Sequence, residues 1–242
     1  MTFNLTLSSR PFAMQSVAAS AIKSKAIPIF RLLLVALLAI LSLTGCSALP
    51  DKPVRSSMYD FGPDNLVAQT SPALTPLAPI AIDDITTAGG VLDNTTVLYR
   101  LAYQDVQQLR PYTLARWALP PAQLVRQRLR DTLSQRRAVF GAGDSAALNR
   151  SQNAVLPRLL RLELEEFSHV FSAVDTSVGL IRLRATLLEV TPAGEKLIGQ
   201  RRVVVQRPAP SSDAVGGVRA LTAATDAAIE ELDQWLQRGA AP

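Results

Sequence analysis

The chain has 242 residues, 48% of them hydrophobic, with 25 basic and 20 acidic side chains, one cysteine and one histidine. A single cysteine excludes an intramolecular disulfide and a thiolate metal cluster, and a single histidine excludes a multi-histidine metal site. The net charge of +5 loses its meaning once the chain is divided: residues 1–45 hold Arg10, Lys23, Lys25 and Arg31 and no acid, which leaves 21 basic against 20 acidic groups and no electrostatic case for nucleic acid.

The first element reads as a secretory leader over residues 1–45. Lys23, Lys25 and Arg31 flank an apolar run, Leu32 to Leu41, that is too short for a comfortable membrane span. Leu43-Thr44-Gly45-Cys46 follows at once and looks like a bacterial lipobox, in which small residues beside the cysteine let lipidation and cleavage occur. Cys46 is therefore the expected lipidation site and mature N-terminus, with Met14 an alternative start. In lipoproteins of this type an aspartate after the cysteine favours the inner membrane. Ser47 stands there instead, so the outer membrane, facing the periplasm, is the expected location. Acyl chains contribute about 0.8 kcal/mol per buried methylene, enough for a stable anchor.

Residues 46–76 are rich in Ser, Pro, Asp and Thr and read as a lipidated N-terminus and tether, with a reach on the order of 30 Å as a coil. Within them, Met58-Tyr59-Asp60-Phe61-Gly62-Pro63 is expected to dock as an edge strand before a Gly-Pro stop. A folded domain is predicted over 77–240. Leu77–Ile82 reads as a strand, with Pro79 at an edge or strand start. Thr95–Tyr103 follows, with Val97, Tyr99, Leu101 and Tyr103 on one face. Pro120-Pro121 opens a helix over Ala122–Arg137, whose stripe is Ala122, Val125, Leu129 and Leu133. Ala138-Val139-Phe140 is a short strand before a Gly/Asp/Ser-rich turn. Three long strands are predicted at 159–170, 178–190 and 196–207, the last two joined across Thr191–Glu195. A helix from Asp213 to Gln237 closes the chain, burying Val218, Leu221, Ala228, Ile229, Leu232, Trp235 and Leu236. The fold class is α+β, a largely antiparallel sheet with two main helices packed on one face.

Three segments carry a family resemblance: Tyr59-Asp60-Phe61-Gly62-Pro63, Leu98-Tyr99-Arg100, and Leu109-Arg110-Pro111-Tyr112-Thr113-Leu114-Ala115-Arg116-Trp117-Ala118-Leu119-Pro120-Pro121. Together they resemble the ABC-type transport auxiliary lipoproteins, the group that includes PqiC-like proteins, over nearly all of the mature chain. The resemblance implies a partner of MCE-type lipid transport, in which an inner-membrane ABC transporter and a periplasmic MCE-domain protein move lipid. It also implies self-association into rings, and neither cofactor nor catalytic residue.

Tyr112, Arg116 and Trp117 are the candidate partner-binding residues, because exposed aromatics and arginine anchor interfaces; the competing reading has Trp117 sealing the core. Arg126, Arg128, Arg130, Arg136 and Arg137 read as a solvated helix face rather than an anion site. Ser168, His169 and Asp175 have hydrolase residue types, but neighbours on a strand point to opposite faces and no Gly-x-Ser-x-Gly elbow exists. Glu163 and Glu165 share a strand face where Arg182 or Arg184 is expected opposite. The expected function is a non-enzymatic envelope lipoprotein of an MCE/ABC lipid-transport system. The alternative is a structural lipoprotein of an outer-membrane or cell-wall complex.

Overall fold

The computed structural model describes residues 27–43, 55–63, 77–141, 156–191 and 193–239. The chain divides into two units, Met1–Pro53 and Val54–Pro242. In the first, α1 (Ile27–Leu43) is a 17-residue helix that contains the whole predicted apolar run. Among the described residues no helix is long and apolar enough to cross a membrane. Leu43 ends α1, and Thr44, Gly45 and Cys46 lie outside the described residues.

The second unit is a mixed, open sheet with helices on one face. Its strands are β1 (Ser57–Tyr59), β2 (Ile80–Ile82), β3 (Thr86–Thr87), β4 (Thr96–Leu101), β5 (Leu109–Trp117), β6 (Val139–Gly141), β7 (Arg158–Phe171), β8 (Ser177–Thr191) and β9 (Gly194–Pro208); its helices are α2 (Pro121–Ser134) and α3 (Ala214–Gln237). The α+β class is as expected, and the two longest ladders, β7–β8 and β8–β9, are antiparallel. The short strands make the sheet mixed. β4 runs parallel to the C-terminal half of β7, β2 lies parallel between β7 and β6, and β1 runs parallel to β5. Each of these strands reaches its partner by a long excursion of the chain, so nothing local announces the direction.

The helices form where an apolar stripe of helical period meets a legal start. Pro121 occupies the first turn of α2, where its missing N–H costs nothing, and Ala122, Val125, Leu129 and Leu133 are buried. Asp213 caps α3 by accepting from the Gly216 N–H at 2.7 Å and from Ser211 Oγ at 2.7 Å. Those bonds hold its carboxyl below the usual carboxylate range. All seven predicted stripe residues of α3 are buried, with Leu221, Ala228 and Leu232 fully so. α3 packs on β7, β8 and β9, and α2 packs on α3.

Three departures from simple alternation matter. Leu109–Trp117 is a nine-residue strand, which its proline concealed; Pro111 is tolerated because β1 covers β5 only from Ala115 onward. A register shift between Thr96 and Leu98 buries both Val97 and Leu98, and the strand stops at Leu101, leaving Tyr103 42% exposed. The third is a bulge in β7 between Leu164 and Glu166. Before it Leu160, Leu162 and Leu164 face the helices; after it Phe167, His169 and Phe171 are buried instead. The predicted turn at 191–195 closes with Thr191 opposite Gly194, whose φ of 122° suits glycine alone, while Pro192 lies outside the described residues.

Candidate functional site

The motif segments converge on one dry cluster. Phe61 meets Trp117 edge-on with ring centroids 5.6 Å apart, and Phe167 lies 5.5 Å from Trp117 and 6.2 Å from Phe61. The strap from β1 to Phe61 is held at both ends. Ala118 donates its N–H to the Tyr59 carbonyl at 2.6 Å, and Arg128 donates from Nη2 to the Phe61 carbonyl at 2.5 Å. Arg128 also pairs with Asp226 on α3 at 3.3 Å, so one guanidinium ties the strap to both helices. Asp60 Oδ1 accepts the Gly62 N–H at 2.9 Å, and the Asx turn it makes lets Gly62 take φ 69° before Pro63. Between strap and α3 a cleft of about 580 Å³ is lined by Met58, Tyr59, Ala118, Arg219, Thr222 and Ala223, among others.

The three candidate partner residues are not on one surface. Trp117 is 1% exposed and seals the core. Tyr112 is half-buried, its ring tilted against Tyr99 at 4.6 Å, with its hydroxyl 2.9 Å from His169 Nδ1. Arg116 folds back on its own strand and donates to the carbonyls of Tyr112 and Ala115 at 2.6 and 2.8 Å.

His169 is fully buried with both ring nitrogens engaged, since Nε2 lies 2.8 Å from Ser177 Oγ across the hairpin. Burial lowers its pKa from 6.5 to about 4, against a smaller opposing pull from Asp213, so the ring is neutral at pH 7. Burial likewise pushes the Tyr112 phenol well above its ordinary range. Two glycines make room for this arrangement. A Cβ on Gly217 would strike the His169 ring, and one on Gly179 would strike the α3 backbone at Ala220–Leu221.

Ser168 does not meet His169. It turns to the other face and donates to Glu166 Oε1 at 2.7 Å, while Asp175 accepts from its neighbour Thr176 at 3.2 Å. The serine beside the imidazole is Ser177, which alternation alone did not single out: it stands diagonally across the β7–β8 ladder, opposite Phe171, while Gly179 faces His169 directly. Serine and histidine here are both sealed from water, at 6% and 0% exposure, so the pair is built like a satisfied core network and not like an open nucleophile.

The uncovered face of the sheet carries the charges. Arg184 pairs with Glu163 at 3.5 Å and with Glu165, which also takes Arg202 at 3.3 Å; Arg100 grips Glu166 with two bonds of 3.1 and 3.2 Å. Cross-strand pairing through Arg184 is as expected, while Arg182 faces Glu166 in register without replacing Arg100. Two arginines of α2 and its exit are a correction: Arg128 is buried, and Arg137 pairs with Asp233 at 2.6 Å with a buried side chain, so both clasp neighbouring elements. Arg126, Arg130 and Arg136 stay partly exposed, and Arg126 pairs with Asp84. Among the described residues no three His, Cys, Asp or Glu side chains converge as a metal site.

The comparisons fit this geometry. A crystal structure of a Xanthomonas campestris protein is similar over 70% of this chain and 90% of that one, with 18% identity and a TM-score of 0.56. A second crystal structure, of an uncharacterised protein, is similar over 75% of this chain and 99% of that one, with 11% identity and a TM-score of 0.52. At such identities both speak for the fold alone. No curated protein matches the chain. The model of one family matches residues 59–233, from the strap through nearly all of α3. The chain belongs to the family described as the ABC-type transport auxiliary lipoprotein component.

Proposed function

We propose that this chain is the non-catalytic lipoprotein of an MCE/ABC-type lipid transport system, held to the outer membrane by acyl chains on Cys46 and contacting an MCE-domain protein and its ABC subunits. The observation that carries the reading is the family match over 59–233, which begins at the strap and follows the lipobox-like Leu43–Cys46 segment. A non-catalytic role is favoured by the engagement of Ser168, His169 and Ser177 in closed hydrogen bonds. The reading assigns partner contact and self-association to the free edge of β9, a 15-residue strand paired on one side only among the described residues. Trp117 and Tyr112 are already committed to packing.

The test is an affinity pull-down of the tagged lipoprotein from gently solubilised envelopes, with mass spectrometry of the partners and of the protein's own N-terminus. Recovery of an MCE-domain protein with ABC subunits, and a triacylated Cys46, is the expected outcome. Cell-wall or outer-membrane assembly proteins in their place would move the chain to a structural role.

A further inference from the structure

Strand directions say which end of the second unit the anchored chain comes from. β1 runs parallel to β5, with Ser57 opposite Ala115, so the chain enters β1 from the side where β5 begins at Leu109. That is also where β4 and β7 end, since Leu101 is in register with Phe171 and Arg100 with Leu109. Three connections close this end: 102–108 between β4 and β5, 172–176 between β7 and β8, and 209–213 between β9 and α3, since Pro208 is in register with Val178. The opposite end is the β8–β9 hairpin near Gly194.

Lengths turn direction into a constraint. Nine Cα–Cα steps lead from Cys46 to Arg55, a span of at most about 32 Å extended and about 17 Å for a coil of that length. Arg55 lies two residues before Ser57, about 13 Å short of the start of β5 at the usual rise per residue. From the same level the far hairpin is about 35 Å away in the other direction. A chain from Cys46 therefore reaches a surface beyond the near end and falls short of one beyond the far hairpin.

The near end also has suitable chemistry. Tyr103 is 42% exposed, Val106 60% and Val174 75%, all on the two loops that leave adjacent parallel strands. The first two loops carry two carboxylates, Asp105 and Asp175, while Arg110 and Arg207 stand at the strand ends beside them. Both carboxylates serve their own turns, accepting from the Gln107 N–H at 2.9 Å and from Thr176 Oγ1 at 3.2 Å. Apolar tips of this kind suit the headgroup layer of a lipid surface.

We infer that this end of the unit rests on the lipid surface that holds Cys46, with Tyr103, Val106 and Val174 as the residues that enter the headgroup layer. The inference deepens the proposed function and rests on its acylated Cys46. It orients the domain with the β8–β9 hairpin directed away from the membrane, toward any partner in the periplasm.

The experiment uses the full lipoprotein, made with its own leader and reconstituted into phosphatidylcholine vesicles. Acylation consumes the Cys46 thiol, so Val174→Cys introduces the only free thiol, and Lys196→Cys does the same on the far hairpin. Each is labelled with a polarity-sensitive fluorophore. Blue-shifted emission at 174, lost on adding nitroxide-bearing phosphatidylcholine, with water-like, unquenched emission at 196, is the expected result. Vesicle flotation with water-like emission at both positions would leave the anchor standing and overturn the orientation. Failure to float, with a second free thiol in each variant, would remove the anchor reading and this inference with it.

Discussion

Phe167 and His169 stand two residues apart on the same face of β7, yet their surroundings have opposite chemistry. Phe167 joins Phe61 and Trp117 in a cluster of rings sealed by hydrophobic burial, while His169 is bracketed by Tyr112 and Ser177 hydroxyls under the bare backbone of Gly217. The aromatic cluster gains from excluded water and needs no donor to meet an acceptor. The polar one depends on every donor finding its acceptor, because an unsatisfied group there costs about 1–3 kcal/mol. One β-strand thus carries a forgiving joint and an exacting one, and the strap and α3 dock on them respectively.

The comparison is broken most severely at Trp117. Trp117→Ala removes the ring shared by Phe61 and Phe167 and is expected to cost about 3–5 kcal/mol, read by urea denaturation. A loss below about 1 kcal/mol would mean that the strap is not held by this cluster. Acid sharpens the contrast at the other joint. The folded-state pKa of His169, about 4, is below its unfolded value of about 6.5, so the unfolded chain takes up a proton first as pH falls. His169 therefore contributes its full stability above pH 6.5 and loses about 3 kcal/mol of it between there and pH 4. Denaturation midpoints across that range should fall more steeply for the wild type than for His169→Gln; equal slopes would remove the neutral buried imidazole. The smallest effect belongs to the uncovered face. A double-mutant cycle on Glu163 and Arg184 should give a coupling of about 0.2–1 kcal/mol, declining with salt, because both side chains are partly exposed.

The two joints were not equally legible. Phe61 and Trp117 stand in motif segments whose aromatic and proline spacing is visible in one dimension, and the stripes of α2 and α3 follow from period alone. His169 was placed with Ser168 and Asp175 because those residues are near in sequence. Unbroken alternation along β7 would have set His169 beside Glu163 and Glu165 on the polar face. The single extra residue at the bulge reverses that parity and carries the imidazole into the core. Ser177 and Tyr112 become its partners through register across β8 and through a loop return by β5, which no local pattern encodes. The parallel pairings of β1, β2 and β4 escaped for the same reason, and β5 was hidden by Pro111.

The strap has a mechanical consequence. Because β1 lies parallel to β5 and its free end points along the strand, a pull on the N-terminus toward the β4–β5 loop loads the Ser57–Tyr59 pairings in shear, all together. Phe61 lies beyond the last of them, wedged against Trp117 and latched by Arg128, so sliding must also drag a ring out of the core. A pull at right angles would instead peel the pairings apart one by one. The second unit is thus a joint whose grip depends on the direction of tension, firmest when the load runs along the line of its own tether.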